Sequence, residues 1–139
     1  MTSPTAVALT GFIALALFLI ILMESLRSRL VVLKQIPINE FRPDNANLSP
    51  FMQRLARAHA NCIEGIPIFG GLLLVALVTG HTAVTDTLAY PLLAARLLQS
   101  FAHLVSLSIL VVNLRAAAFA VQMAIGAWWA VGLLTVMVG

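Results

Sequence analysis

Four long apolar stretches dominate the chain: Thr5 to Glu24, Leu55 to Thr79, Leu88 to Val112 and Ala116 to Val138. About 20 predominantly apolar residues are what a helix needs to cross the hydrocarbon core of a bilayer. Strands of a membrane barrel would instead alternate apolar and polar residues over about ten positions, and these stretches do not. Lipid solvates no backbone polar group, which leaves helices as the spanning element. The expected fold is an all-α membrane protein, a bundle of four transmembrane helices. With their polar flanks the spans are taken as 5–27, 50–79, 87–112 and 115–138, within a single domain over residues 1–139. A soluble globule is excluded on composition: 9% of residues are charged, against about 25% for soluble domains.

The punctuation between spans supports this division. Ser3-Pro4 and Ser49-Pro50 each offer a side-chain N-cap followed by a proline at the first helical position, where its missing N–H costs nothing. The first span is read as a mature helix rather than a secretory leader, since no Lys or Arg precedes Met23 and the apolar run outlasts a leader's core. Between the first two spans, Pro37, Asn39, Pro43, Asp44, Asn45 and Asn47 are turn formers without periodicity. Pro67 falls inside the second span, so a kink is expected just beyond Glu64. The next segment, Gly80 to Thr87, reads as an outer loop with His81 and Asp86 in solvent. Trp128 and Trp129, in the middle of the last span, are expected to pack against neighbouring helices.

The cations set the orientation. Of eight Lys and Arg residues, Arg27, Arg29, Lys34, Arg42, Arg54 and Arg57 lie between the first two spans and Arg115 lies at the third-to-fourth junction. The loop between the second and third spans has none. The positive-inside rule places the long first loop and the Arg115 turn in the cytoplasm and both termini outside. The basic balance therefore describes a cytoplasmic rim suited to an anionic ligand or anionic lipid, and no nucleic-acid partner is expected. A single cysteine, Cys62, excludes an intramolecular disulfide.

Two spans carry polar groups where charge costs roughly 2.5 to 3.5 kcal/mol near the helix centre. In the second, Asn61, Glu64 and Ile68 fall within about 40° of Arg57 around the helix axis, a stripe facing away from Leu55, Cys62 and Phe69. In the third, Gln99, Ser100 and His103 lie within about 60° of Arg96. The stripes are expected to meet each other or a shared cavity, and Arg96 and Glu64 could pair directly. His59 points away from the Arg57 stripe, toward either the headgroup level or a ligand. No phosphate-cradling glycine loop, serine nucleophile motif or metal-ligand spacing occurs, and no metal is expected. Guanidinium groups, one carboxylate and amides suit a small zwitterionic or polyanionic ligand: Glu64 for an ammonium, Arg27, Arg57 and Arg96 for carboxylates.

The run Arg57-Ala-His-Ala-Asn61-Cys-Ile-Glu64-Gly-Ile-Pro67-Ile-Phe69 closely resembles the second-helix signature of the membrane-associated proteins in eicosanoid and glutathione metabolism, the MAPEG family, which includes the microsomal glutathione transferases. Ala95-Arg96-Leu-Leu-Gln99-Ser-Phe-Ala-His103 resembles the family's third-helix run. The resemblance implies a homotrimer in the membrane, with glutathione as co-substrate bound between adjacent subunits and a lipophilic electrophile as second substrate. It implies that Asn61 and Glu64 bind the γ-glutamyl end, that Arg57, His59, Arg96, Gln99 and His103 line the tripeptide pocket, and that Arg27 holds a glutathione carboxylate. Arg115 resembles the catalytic arginine at the start of the fourth helix, which stabilises the thiolate. His103 and Leu98 stand where tyrosines are usual, and Gly65 replaces an aromatic found in one branch.

The function expected is that of a membrane glutathione transferase or glutathione-dependent peroxidase, in a bacterial inner membrane with its active site facing the cytoplasm. Two other classes accommodate the same residues: a non-catalytic protein binding a small anion or lipid, and a proton-coupled transporter using Glu64 or Glu24.

Overall fold

The computed structural model describes residues 3–139. Four helices long and apolar enough to cross a membrane run up and down: Pro4–Val32, Pro50–Thr79, Thr82–Val105 and Ile109–Val138. The first is α1 (Pro4–Val32). The second comprises α2 (Pro50–Gly65), a π-helical turn over Ile66–Gly70 and α3 (Gly71–Thr79). The others are α4 (Thr82–Val105) and α5 (Ile109–Val138). α4 sits centrally, packed against α1, α2, α3 and α5.

Both serine–proline starts cap as the residues dictate: Ser3 Oγ accepts from Ala6 N at 3.1 Å and Ser49 Oγ from Met52 N at 3.3 Å. α1 closes with Lys34 in the left-handed region, φ 57°. There Gln35 N bonds Leu30 O and Lys34 N bonds Val31 O, each at 3.0 Å, which satisfies carbonyls that the helix end leaves open. The disturbance expected at Pro67 takes the form of the π turn. Wider i→i+5 spacing there absorbs the missing proline N–H without ending the span.

Three boundaries differ from the expectation, the first being that α1 continues past residue 27 to Val32. The run Leu88 to Val112 is not one helix: α4 stops at Val105, Ser106 is extended, and Ser108 caps α5 by accepting from Val111 N at 3.4 Å. The expected spans 87–112 and 115–138 are thus replaced by 82–105 and 109–138. Hydropathy could not locate the reversal because apolar residues flank the two serines on both sides. The outer loop shrinks to Gly80 and His81, with α4 starting at Thr82. Asp86 is consequently helical and half-buried. Its carboxylate accepts from Thr5 N at 3.1 Å and from Thr5 Oγ1, which also meets Thr85 Oγ1 at 2.6 Å. A carboxylate at the start of α1 complements the helix dipole, so Asp86 ties α1 to α4 rather than facing solvent.

Helices gain little hydrophobic stabilisation from one another in lipid, so close approach of small residues has to hold the bundle. Ala8, Ala16, Ala58, Ala89 and Ala102 are buried between helices. Phe69 on the π turn lies 6.5 Å from Phe12 of α1 and 6.4 Å, edge-on, from Phe119 of α5. Gly126 admits it: a Cβ there would stand 2.9 Å from the Phe69 ring. Trp129 is fully buried as expected, whereas Trp128 is 69% exposed and joins the outward belt of Leu17, Phe18, Leu110 and Val131. Adjacent residues on a helix diverge by about 100°, so the pair could not share one environment.

Candidate functional site

The third-span polar residues share one buried face. Arg96, Gln99, Ser100 and His103 are 0%, 3%, 2% and 6% exposed. Two of them meet Asn61 of α2: Arg96 Nη1 donates to Asn61 Oδ1 at 2.7 Å and Gln99 Nε2 donates to the same oxygen at 2.8 Å. The Arg96 guanidinium also lies 4.9 Å from the Phe12 ring centroid, a cation–π contact. Gly65, one turn beyond Asn61, leaves the room for it, since a Cβ there would approach Arg96 Nη2 to 2.7 Å and Phe12 Cζ to 3.1 Å.

Arg96 and Glu64 do not pair. Glu64 is exposed on the outer face of α2, together with Arg57 and Ile68, and the one ion pair among the described residues is Arg27–Glu24. Arg96 is therefore a buried cation held by amides and an aromatic ring. Its Nε and Nη2 have no hydrogen-bond partner, nor have Ser100 Oγ and Gln122 Oε1. Each such buried orphan costs about 1 to 3 kcal/mol, more when charged. Of these, the two Arg96 nitrogens are donors that a negatively charged group would satisfy, whereas Gln122 Oε1 is an acceptor.

At the end where α4 turns into α5, Arg115 Nη1 meets His103 Nδ1 at 3.0 Å. Arg115 stands in the second turn of α5, half-buried, rather than at its first residue. Arg115 is the cation in contact with the imidazole, with Arg57 and Arg96 outside hydrogen-bond contact of it. Arg57 also borders a cleft of about 380 Å³ with Pro43, Asp44 and Gln53. Half-buried His59 looks the other way, within reach of Arg27 and Glu24. Arg54, which belongs to no polar stripe, anchors α2 to the end of α4 by donating from Nε to Leu104 O at 3.0 Å.

Arg27 is engaged elsewhere. Its Nε and Nη2 donate to Asn45 Oδ1 at 3.0 and 2.6 Å, Nη2 also to Arg42 O at 3.0 Å, and Nη1 to Glu24 Oε1 at 2.9 Å. Asn45 is itself fully buried at φ 55° and donates to Met52 O at 2.7 Å. The pair clamps the connection between α1 and α2 onto both helices. Asn45→Ala is expected to lower stability by about 2 kcal/mol, because it strands a partly buried guanidinium and a buried carbonyl. Thermal unfolding in detergent measures the loss. Limited proteolysis should open the connection near residues 36–47 in the variant only; an unchanged cleavage pattern would mean that other contacts hold it.

Sequence reasoning missed Gln122, Gly65 and Asn45. Fully buried Gln122 donates to Gln99 Oε1 at 2.7 Å and to Ala118 O at 3.1 Å, extending the network into α5. Its signal was present: a lone amide in an otherwise apolar span is expensive unless bonded. Asn45 looked like any other turn former, and Gly65 stood out only as a departure from an aromatic in one branch of the family it resembles.

A family model described as the MAPEG family matches residues 5–135 of the 139-residue chain. No curated protein and no solved structure gives a significant match.

Proposed function

This chain belongs to the MAPEG family, a membrane protein of the glutathione and eicosanoid metabolism group, and from that premise we propose that it is a glutathione transferase or glutathione-dependent peroxidase acting on a lipophilic electrophile. The observation that carries the reading is the buried Arg96, whose Nε and Nη2 have no partner and which no carboxylate of the described chain neutralises. Glutathione supplies two carboxylates, an ammonium and a thiol. Arg96 and Arg57 bind carboxylate, Asn61, Gln99 and His103 orient the peptide, and Glu64 takes the ammonium. Arg115 stabilises the thiolate as a fixed cation, so that the sulfur is nucleophilic before the electrophile arrives.

Glu64 and Ile68 of the second spanning helix, with Arg57 nearer its cytoplasmic end, are exposed on a single protomer. A carboxylate facing lipid is costly, and a neighbouring copy covers it in a homotrimer that places the pocket between subunits, reached from the cytoplasm of a bacterial inner membrane. Arg27, bound to Asn45, acts on glutathione mainly by holding the connection that borders the pocket.

Ultraviolet difference absorbance on adding glutathione to the purified protein tests the reading. Wild type should develop a thiolate band. Arg115→Ala should lose it and turn over about a hundredfold more slowly, the usual effect of deleting one preorganised charge-stabilising donor. Neither a band nor calorimetric binding in the wild type would leave the fold without glutathione chemistry and favour simple anion or lipid binding.

A further inference from the structure

Arginine has five N–H donors and no acceptor. The 3.0 Å contact between Arg115 Nη1 and His103 Nδ1 therefore has a single polarity, with the guanidinium donating. An accepting Nδ1 carries no proton, so the ring proton is on Nε2 and the imidazole is neutral. The tautomer is thus assigned from its partner. An imidazolium, or the tautomer protonated on Nδ1, would turn the same contact into two opposed donors.

The arrangement around the pair gives this polarity a purpose. His103 is 6% exposed on the last turn of α4, so its ring is held by packing. Arg115 follows the Ser106–Ser108 reversal and makes no other side-chain hydrogen bond or ion pair among the described residues. A long side chain with one anchor is oriented by that anchor alone, since its remaining torsions are otherwise free. His103 Nε2, for its part, has no hydrogen-bond partner among the described residues.

We infer that His103 is a positioning residue for Arg115: as the neutral Nε2–H tautomer it accepts the guanidinium's hydrogen bond, fixes the cation's direction across the α4–α5 turn, and keeps an N–H donor on its far side for a bound ligand. The kinetic consequence rests on the glutathione reading above; the lock itself belongs to the ligand-free chain.

Nitrogen NMR on full-length protein in lipid nanodiscs, labelled at its three histidines, tests the lock directly, with the His103 signals assigned by their loss in His103→Gln. Wild type should show His103 with Nδ1 unprotonated and Nε2 protonated, and Arg115→Ala should shift both signals. A protonated Nδ1 at His103 overturns the inference. In the kinetic arm, with glutathione and chlorodinitrobenzene, His103→Phe should lower kcat about tenfold, beyond any rise in the glutathione KM that comes from losing the Nε2–H donor to the ligand. His103→Gln, whose Oε1 can accept the same bond, should recover most of the rate. Equal defects in Phe and Gln variants, or a defect confined to KM, overturn the positioning role. Absence of any glutathione turnover in wild type defeats the functional reading instead and leaves the nitrogen signals to decide the lock.

Discussion

Arg96→Met should make the ligand-free protein more stable while removing glutathione binding. The two effects have opposite signs because one group causes both. Arg96 is 0% exposed, with two nitrogens unpartnered and no carboxylate against it. Exchanging buried ionic groups for apolar ones of similar volume commonly gains about 1 to 4 kcal/mol. What the substitution gives up is modest: Asn61 Oδ1 keeps its bond from Gln99 at 2.8 Å, and a methionine sulfur can lie against the Phe12 ring in place of the guanidinium. Binding of an anion, by contrast, loses a desolvated charge, for which truncation typically costs about 2 to 5 kcal/mol, so affinity should fall about a hundredfold or more. Thermal unfolding without glutathione, followed by titration calorimetry, reads both effects. A lower unfolding midpoint for Arg96→Met would mean that Asn61 and Phe12 already compensate the buried charge. Unaltered affinity would remove Arg96 from the pocket.

Gly65→Val should be the most disruptive single substitution on α2. A Cβ at Gly65 would lie 2.7 Å from Arg96 Nη2 and 3.1 Å from Phe12 Cζ. Both atoms belong to groups already pinned, the guanidinium by Asn61 and the ring by Phe69. Overpacking of this kind costs about 3 kcal/mol, which outweighs the gain of about 0.5 to 1 kcal/mol from replacing a helical glycine. Gly71 provides the control, since a Cβ there meets nothing within 4 Å. Gly71→Ala should therefore raise stability by about 0.5 to 1 kcal/mol. Gly65→Val should also weaken glutathione binding, by pushing Arg96 off Asn61. Similar unfolding temperatures for the two variants would show that α1 shifts to make room.

The amino-acid sequence by itself determined the four spans, the two serine–proline helix starts, the disturbance at Pro67 and the common face of Arg96, Gln99, Ser100 and His103. All are local: chain length against bilayer thickness, the stereochemistry of one residue, and the angular period of one helix. Only the tertiary structure decided which groups meet across helices. Asn61 and Glu64 differ by about 60° around α2, yet Asn61 reaches Arg96 on α4 and Glu64 faces outward. Periodicity ranks residues around one axis and cannot say how far a second helix is rotated toward them. That rotation is set by side chains from every helix at once, among them the gap at Gly65, the Phe12 ring and the Asn45 clamp that occupies Arg27. For the same reason the α4–α5 reversal was hidden among the apolar residues that flank Ser106 and Ser108. Lipid-facing and turn-adjacent residues there have the same chemistry, and only the packing of the two helices shows where the chain must fold back.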